Sequence, residues 1–280
     1  MPSGIHSGIQ RILSAVVFLP IFWVLVKRFG PGPYEALLAV AAGIGLYELY
    51  ALAAARGHRC HRLLGALTAA LVLASFAVPA VPLAAVLAAA VFALPVASLW
   101  RGEDWGRVFG DVGATLFAAT FVGVTFGYLL SLRLLSDAVS GNETGSDLVF
   151  LLFFVVWGSD VFAYAIGRLL GRRPLAPNVS PKKTVEGAIG GLLGAVALAF
   201  VARAWFMHRL RVRDALLLGL VLGIVGMLGD LVESMLKRGA GVKDSARLVP
   251  GHGGLLDRVD SLLYAAPLLY YYYLFAMRTG

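Results

Sequence analysis

The run Ala215–Arg238, ALLLGLVLGIVGMLGDLVESMLKR, decides how the rest of the chain is read. Its first fifteen residues carry no charge, and then Asp230, Glu233, Lys237 and Arg238 follow within nine. A helix rises about 1.5 Å per residue, so about 20 apolar residues cross the roughly 30 Å of bilayer hydrocarbon. A span begun at Ala215 therefore carries Lys237 and Arg238 to the far interface and leaves Asp230 a turn or two inside. A charge in hydrocarbon costs about 2.5–3.5 kcal/mol on insertion scales, so an intramembrane carboxylate generally faces a cavity, a metal or a partner charge. Asp230, Glu233 and Lys237 share one helical face at i, i+3 and i+7, with Ser234 beside them. A plain Glu233–Lys237 ion pair at a helix end is the ordinary reading of the last two.

Downstream the polar character continues. Ten charged side chains lie between Asp230 and Asp260, and the loop holds Lys243-Asp244, then Pro250-Gly-His252-Gly-Gly254, then Asp257-Arg258 and Asp260. Glycines on both sides of His252 let a backbone approach a ligand closely. Asp257 and Asp260 stand three apart at the start of a last helix, so both carboxylates can point the same way. Carboxylates gathered with lysines and arginines suit Mg²⁺ and phosphates, because Mg²⁺ takes one or two carboxylates plus substrate oxygens. His252 has no cysteine or second histidine at ligand spacing, which argues against zinc.

Outside these loops the chain is apolar. Of 280 residues 59% are hydrophobic and 14% charged, and the mean hydropathy is +0.82. Soluble domains hold about 45–50% apolar residues, so the composition reads as an all-α, polytopic integral membrane protein. The single cysteine, Cys60, excludes an internal disulfide. A formal net charge of +8 is explained by one-sided loop charge and does not call for nucleic acid.

Apolar runs give about nine candidate transmembrane helices: 12–26, 34–55, 63–78, 81–99, 112–132, 148–167, 186–206, 215–236 and 261–277. The first reads as an uncleaved span, since no small-residue cleavage site follows it. The third and fourth meet through Pro79 and Pro82 and are alternatively a re-entrant hairpin. With nine spans, sixteen of the 24 basic residues fall on the face that carries Arg11, Arg56, Lys183 and Lys237, and eight on the other. The positive-inside bias then puts the N-terminus and both long polar loops in the cytoplasm. The arginines from Arg203 to Arg213 pull the other way. Gly187, Gly190, Gly191 and Gly194 read as a close-packing helix face.

The other polar loop is GRLLGRRPLAPNVSPKKTVEG, Gly167–Gly187, with three prolines and five basic residues. Its Ser180, Lys182, Lys183 and Thr184 precede a helix N-terminus, which attracts anions. Asp160, in WGSDVFAYAIGR, lies mid-span, as does Glu48 in span two. For Glu48 the simpler reading is an interhelical hydrogen bond.

At these residues the chain resembles the phosphatidate cytidylyltransferase family, also called CDP-diacylglycerol synthases. The family pattern S-x-x-K-R-x4-K-D, a spacer, then P-x-H-G-G-x-x-D-R-x-D is met by Ser234, Lys237-Arg238, Lys243-Asp244, Pro250, His252-Gly253-Gly254, Asp257-Arg258 and Asp260. Val249 departs from the usual Leu, Ile or Phe. Asp160–Arg168, Ser180–Gly187 and Gly229–Ser234 also look like the family's, so the likeness covers roughly the last 120 residues. It implies a catalytic membrane region at 141–280 behind a hydrophobic multi-span region at 1–140. It further implies the reaction CTP + phosphatidate → CDP-diacylglycerol + pyrophosphate. A chain this short, without a long soluble extension, reads as bacterial, which puts the site in the cytoplasmic (inner) membrane, and the loop charge faces it to the cytoplasm.

On that resemblance the expected metal ligands are Asp230, Asp257 and Asp260, with Asp244 and Asp160 behind them. Lys237, Arg238, Lys243 and Arg258 are expected on CTP phosphates or pyrophosphate, and His252 on a phosphate or the loop itself. Ser180, Lys182, Lys183, Thr184, Glu186 and Ser234 are expected around substrate. Whether a monovalent cation such as K⁺ joins Mg²⁺, and whether the chain forms a homodimer, the sequence leaves open. The rival class is a transporter, with Glu48, Asp160 and Asp230 lining an ion path. Against it, no inverted repeat is evident and the charge gathers in two loops. A CTP-dependent enzyme acting on another lipid is the nearer alternative. A pure scaffold has no use for so charged a loop.

Overall fold

Two sequence positions show how the chain shapes its helix ends. Gly57 and Gly241 have φ of 83° and 75° in this computed structural model, which describes residues 20–101, 105–136, 143–242 and 254–277. Each follows a long helix. Gly57 N donates to Ala54 O at 2.9 Å and His58 N to Ala53 O at 3.1 Å, while Gly241 N donates to Arg238 O and Val242 N to Lys237 O, both at 3.0 Å. Both are Schellman caps, in which a left-handed residue lets the chain turn back and satisfy the last carbonyls. The second cap fixes the end of the helix that bears Lys237 and Arg238. Adding a Cβ in the left-handed region costs about 1–2 kcal/mol. Gly241→Ala is therefore expected to lower the thermal unfolding midpoint of the detergent-solubilised protein; an unchanged midpoint would count against the strain.

Among the described residues there are nine helices and one small hairpin. They run α1 (20–28), α2 (Pro31–Ala55), α3 (Arg62–Ala74), α4 (Leu83–Leu99), α5 (Trp105–Leu134) and α6 (Glu143–Leu170). After α6 come β1 (Pro174–Ala176) and β2 (Ser180–Thr184), then α7 (Val185–Trp205), α8 (Val212–Gly239) and α9 (Leu256–Tyr272), which continues as a π turn over Tyr273–Met277. Helices dominate because a backbone in hydrocarbon has to satisfy its polar groups internally. The described helices overlap the expected spans, the first of which, 12–26, lies partly outside the described residues; among the described residues five are long and apolar enough to cross a membrane: α2, α5, α6, α7 and α8. Helix α3 has 13 residues and is only about 20 Å long, short of a bilayer. Helix α4 has 17 and contains Pro95.

Among the described residues the hairpin is the one departure from an all-α fold. It is antiparallel, with Pro174 opposite Thr184 and Ala176 opposite Ser180. Pro174, Pro177 and Pro181 account for it, since the residue before a proline is pushed toward extended backbone.

Helix α5 sits centrally against α2, α3 and α9, while α6 packs on α7, α7 on α8 and α8 on α9. The α6–α7 seam is lined by the expected glycines. A Cβ on Gly190 would meet Ile166, and one on Gly191 would meet Ala163 and the Ser159 carbonyl. This close approach brings Asp160 on α6 toward the hairpin that precedes α7.

Candidate active site

Four elements converge at one end of the bundle: the lower half of α6, the β1–β2 hairpin, the last turns of α8 and the start of α9. Helices α8 and α9 run antiparallel, and Gly229 makes their contact close; a Cβ there would come within 2.8 Å of the Asp260 carbonyl. In an antiparallel pair each step up one helix meets a step down the other. Asp260 therefore comes opposite Asp230, and Asp257 opposite Glu233 and Lys237.

The result is two adjoining charge clusters. In the first, Lys183 of β2 forms an ion pair with Asp230 of α8. Asp160 and Asp260 both lie within electrostatic reach of Asp230 and Lys183. Asp260 is buried, Asp230 is half-buried, and Asp160 opens to the outside of the helix bundle. Three carboxylates against one ammonium leave two formal negative charges. In the second cluster, Lys237 bridges Glu233, its i+4 partner, and Asp257 of α9. Asp257 also accepts a hydrogen bond from Gly254 N at 2.9 Å, which ties down the chain entering α9. The Glu233–Lys237 pair read from sequence is thus present, with Asp257 as its third member. Glu233 and Asp260 face one small cavity together with Leu256 and Tyr264, so the two clusters are neighbours.

The structure separates Asp257 from Asp260, which the spacing alone would point the same way. Three residues of helix turn a side chain by about 300°, leaving the two about 60° apart, enough for each to meet a different turn of α8. Among the described residues no three His, Cys, Asp or Glu side chains stand in a ready ligand arrangement. Lys243, Asp244 and His252 lie outside the described residues.

The other expected residues lie on the hairpin and on α7, α8 and α9. Thr184 is the N-cap of α7, its Oγ1 accepting from Gly187 N at 3.1 Å. The Glu186 carboxylate accepts from the backbone amides of Arg172 and Arg173 at 3.0 and 3.2 Å, so it holds the turn between α6 and β1. Ser180 is half-buried and Lys182 exposed on β2. Arg238 Nε donates to the Val179 carbonyl at 3.3 Å, joining the end of α8 to the hairpin. Ser234 is half-buried on α8, and the Arg258 side chain is exposed.

Two contributors are not legible in the sequence. Glu48, fully buried on α2, accepts from Leu255 N at 2.7 Å and Leu256 N at 2.9 Å and so caps α9. Its interhelical hydrogen bonding was expected, but the partner lies 207 residues away and no local signal names it. Trp157 Nε1 donates to the Arg258 carbonyl at 3.1 Å, one turn further along α9.

Comparison with known proteins gives this arrangement its context. A protein named phosphatidate cytidylyltransferase from Synechocystis sp. is 34% identical over 94% of this chain and 95% of its own length. One of the same name from Bacillus subtilis is 34% identical over 94% and 96%. Another, from Haemophilus influenzae, is 47% identical over 48% of each chain. The Cytidylyltransferase family matches residues 9–276, so the described helices and both charge clusters lie within it, and the chain belongs to the Cytidylyltransferase family.

Proposed function

We propose that this chain transfers the cytidylyl group of CTP to phosphatidate, forming CDP-diacylglycerol and releasing pyrophosphate. The observation that carries the reading is the convergence of Asp160, Asp230 and Asp260 with Lys183 beside the Lys237 cluster. The names of relatives aligned over 94% of the chain supply the substrates. In the reaction a phosphate oxygen of the lipid forms a bond to the α-phosphorus of CTP. The bond from that phosphorus to the β-phosphate oxygen breaks, and pyrophosphate leaves with the electron pair. A phosphate monoester is already nucleophilic at neutral pH, so no general base is required.

Two polyanions have to meet, and fixed positive charge addresses that repulsion. Lys183, Lys182 and Arg238 line the hairpin side, and Lys237 and Arg258 the α9 side. These cations would hold the triphosphate and orient its α-phosphorus toward the lipid. Hard carboxylate oxygens with a two-charge excess fit a divalent ion, and Asp160, Asp230 and Asp260 are the residues that would hold Mg²⁺. Such an ion, when bound, supplies charge neutralisation and leaving-group stabilisation. Asp257 acts differently. Joined to Lys237 and Gly254, it fixes the Lys237 ammonium and the entry to α9. Exposed Val161 and Phe162 beside Asp160 give the acyl chains an apolar surface to lie along, with the headgroup at the clusters. Counted over about nine crossings, the positive-inside bias supports a cytoplasmic-facing site, and the bacterial relatives support an inner-membrane location.

Pyrophosphate release by the detergent-purified chain tests the reading. Release from CTP is expected only when phosphatidate and Mg²⁺ are both supplied, and EDTA is expected to abolish it. Release that ignores phosphatidate but follows another lipid acceptor would replace the substrate assignment, and full release in EDTA would remove the metal.

A further inference from the structure

Lys183 stands in an unusual place, a cation seated among the carboxylates proposed to hold one. It pairs with Asp230 across the contact between β2 and α8, and Asp160 and Asp260 lie within its electrostatic reach. The lysine of the neighbouring cluster is held differently. Lys237 is gripped from two sides by Glu233 and Asp257, and it donates a hydrogen bond to Asp257. Among the described residues Lys183 has one ion-pair partner, Asp230. Its Nζ is buried and meets no acceptor there in hydrogen-bond geometry, so charge alone holds the pair.

The backbone around Lys183 is fixed, and its side chain is not. Val185 N donates to the Arg173 carbonyl at 2.9 Å, and Thr184 Oγ1 accepts from Gly187 N at 3.1 Å, which pins the chain where β2 meets α7. The tip of the hairpin is tied to α8 through Arg238 and the Val179 carbonyl. A lysine ammonium stands on a flexible four-carbon stem with three rotatable donors, so it can turn away while the strand stays in place.

An ammonium and a divalent ion are rivals for such a place. Mg²⁺ demands near-octahedral oxygen ligation and keeps several waters, and that shell needs the space beside Asp230 that the ammonium fills. Two cations on one carboxylate also repel each other strongly where water is scarce. Substrate phosphates offer the displaced lysine a new partner, since an ammonium binds phosphate as a point charge. We infer that Lys183 and a divalent ion hold Asp230 in turn, Lys183 passing to a substrate phosphate when the ion binds. This rests on the reading of Asp160, Asp230 and Asp260 as the metal site, and adds that the site's own lysine competes for it.

The test reads the lysine and the metal separately from turnover. The full chain in detergent is briefly acetylated with an N-hydroxysuccinimide ester and peptide-mapped in EDTA, in Mg²⁺, and in Mg²⁺ with CTP. Lys183 is expected to label slowly in EDTA, severalfold faster in Mg²⁺, and slowly again once CTP is added. Lys182, exposed on the same strand, is expected to label alike in EDTA and in Mg²⁺. In parallel, Mn²⁺ binding without nucleotide is followed by electron paramagnetic resonance. Lys183→Met is expected to bind Mn²⁺ about tenfold more tightly than the unaltered chain, within the coupling range of residues in contact. Lys182→Met is expected to change that affinity less than about twofold, as an exposed charge does. Asp260→Asn is expected to weaken it. Unchanged affinity in Lys183→Met would overturn the exchange and leave the metal site standing. So would Lys183 labelling indifferent to Mg²⁺ while Mn²⁺ binds and Asp260→Asn weakens it. That arm uses the unaltered chain, so it decides the matter even if Lys183→Met does not fold. Mn²⁺ binding absent from every form, or undiminished in Asp260→Asn, would remove the metal site and the exchange with it.

Discussion

Asp260→Asn is expected to lower the rate of phosphatidate-dependent pyrophosphate release by about 10²–10³-fold, the range seen when one preorganised electrostatic group is lost from a reaction site. The substitution keeps the side-chain volume, and its Oδ1 can still meet Ser261 N, now 2.6 Å away. Folding should therefore survive, and the thermal midpoint is expected to change little. What changes is charge. Asp260 faces Asp230, Asp160 and Lys183, and removing its charge reduces the formal excess there from two negative charges to one. A weaker hold on a divalent ion follows, so the Mg²⁺ concentration for half-maximal rate should rise while the KM for CTP moves less. Asp230→Asn is expected to behave alike and to free Lys183 as well. Asp257→Asn should differ: its loss weakens the Lys237 bridge and the Gly254 tie, giving a fall in rate without the Mg²⁺ shift. Full activity in Asp260→Asn at ordinary Mg²⁺ would end the case for this cluster as the metal site.

That difference between Asp257 and Asp260 marks where the sequence alone stops deciding geometry. Residue type and spacing place both at the head of α9, and the i, i+3, i+7 pattern places Asp230, Glu233 and Lys237 on one face of α8. Both placements concern a single helix, where 3.6 residues per turn settles geometry. Which face of α9 meets which turn of α8 is a two-helix property, set by antiparallel packing over Gly229. The α6–α7 glycine seam is legible because small residues at helical spacing have few other uses in a membrane. The hairpin is not foreseen, although each of its three prolines favours extended backbone. The count of about nine crossings is left without support at α3, because apolar composition alone does not distinguish a short packed helix from a span.

Glu48 carries the second large expected effect, and it explains how the N-terminal half takes part in the site. The first N–H groups of any helix lack partners inside it, and where that end is buried they have to be met from outside. Helix α9 has no side-chain N-cap of its own, since Leu255 occupies the position. The Glu48 carboxylate reaches across from α2 and accepts from two of those amides. A negative charge at a helix N-terminus is further favoured by the dipole, by up to about 2 kcal/mol when partly buried. Glu48→Ala would strand both amides in an apolar setting at about 1–3 kcal/mol each, so a loss of several kcal/mol is expected. In practice the thermal midpoint should fall clearly, and further than in Gly241→Ala. Activity should fall too, because Asp257 and Asp260 lie on the first turns of the helix that is released. Misplacement of a reacting constellation by about 1 Å can cost a hundredfold. Glu48→Gln separates the two effects: it keeps one acceptor but turns an N–H₂ toward the second amide, so an intermediate midpoint is expected. If Glu48 acted on an ion path or on substrate instead, Glu48→Ala would change activity while leaving the midpoint where it was.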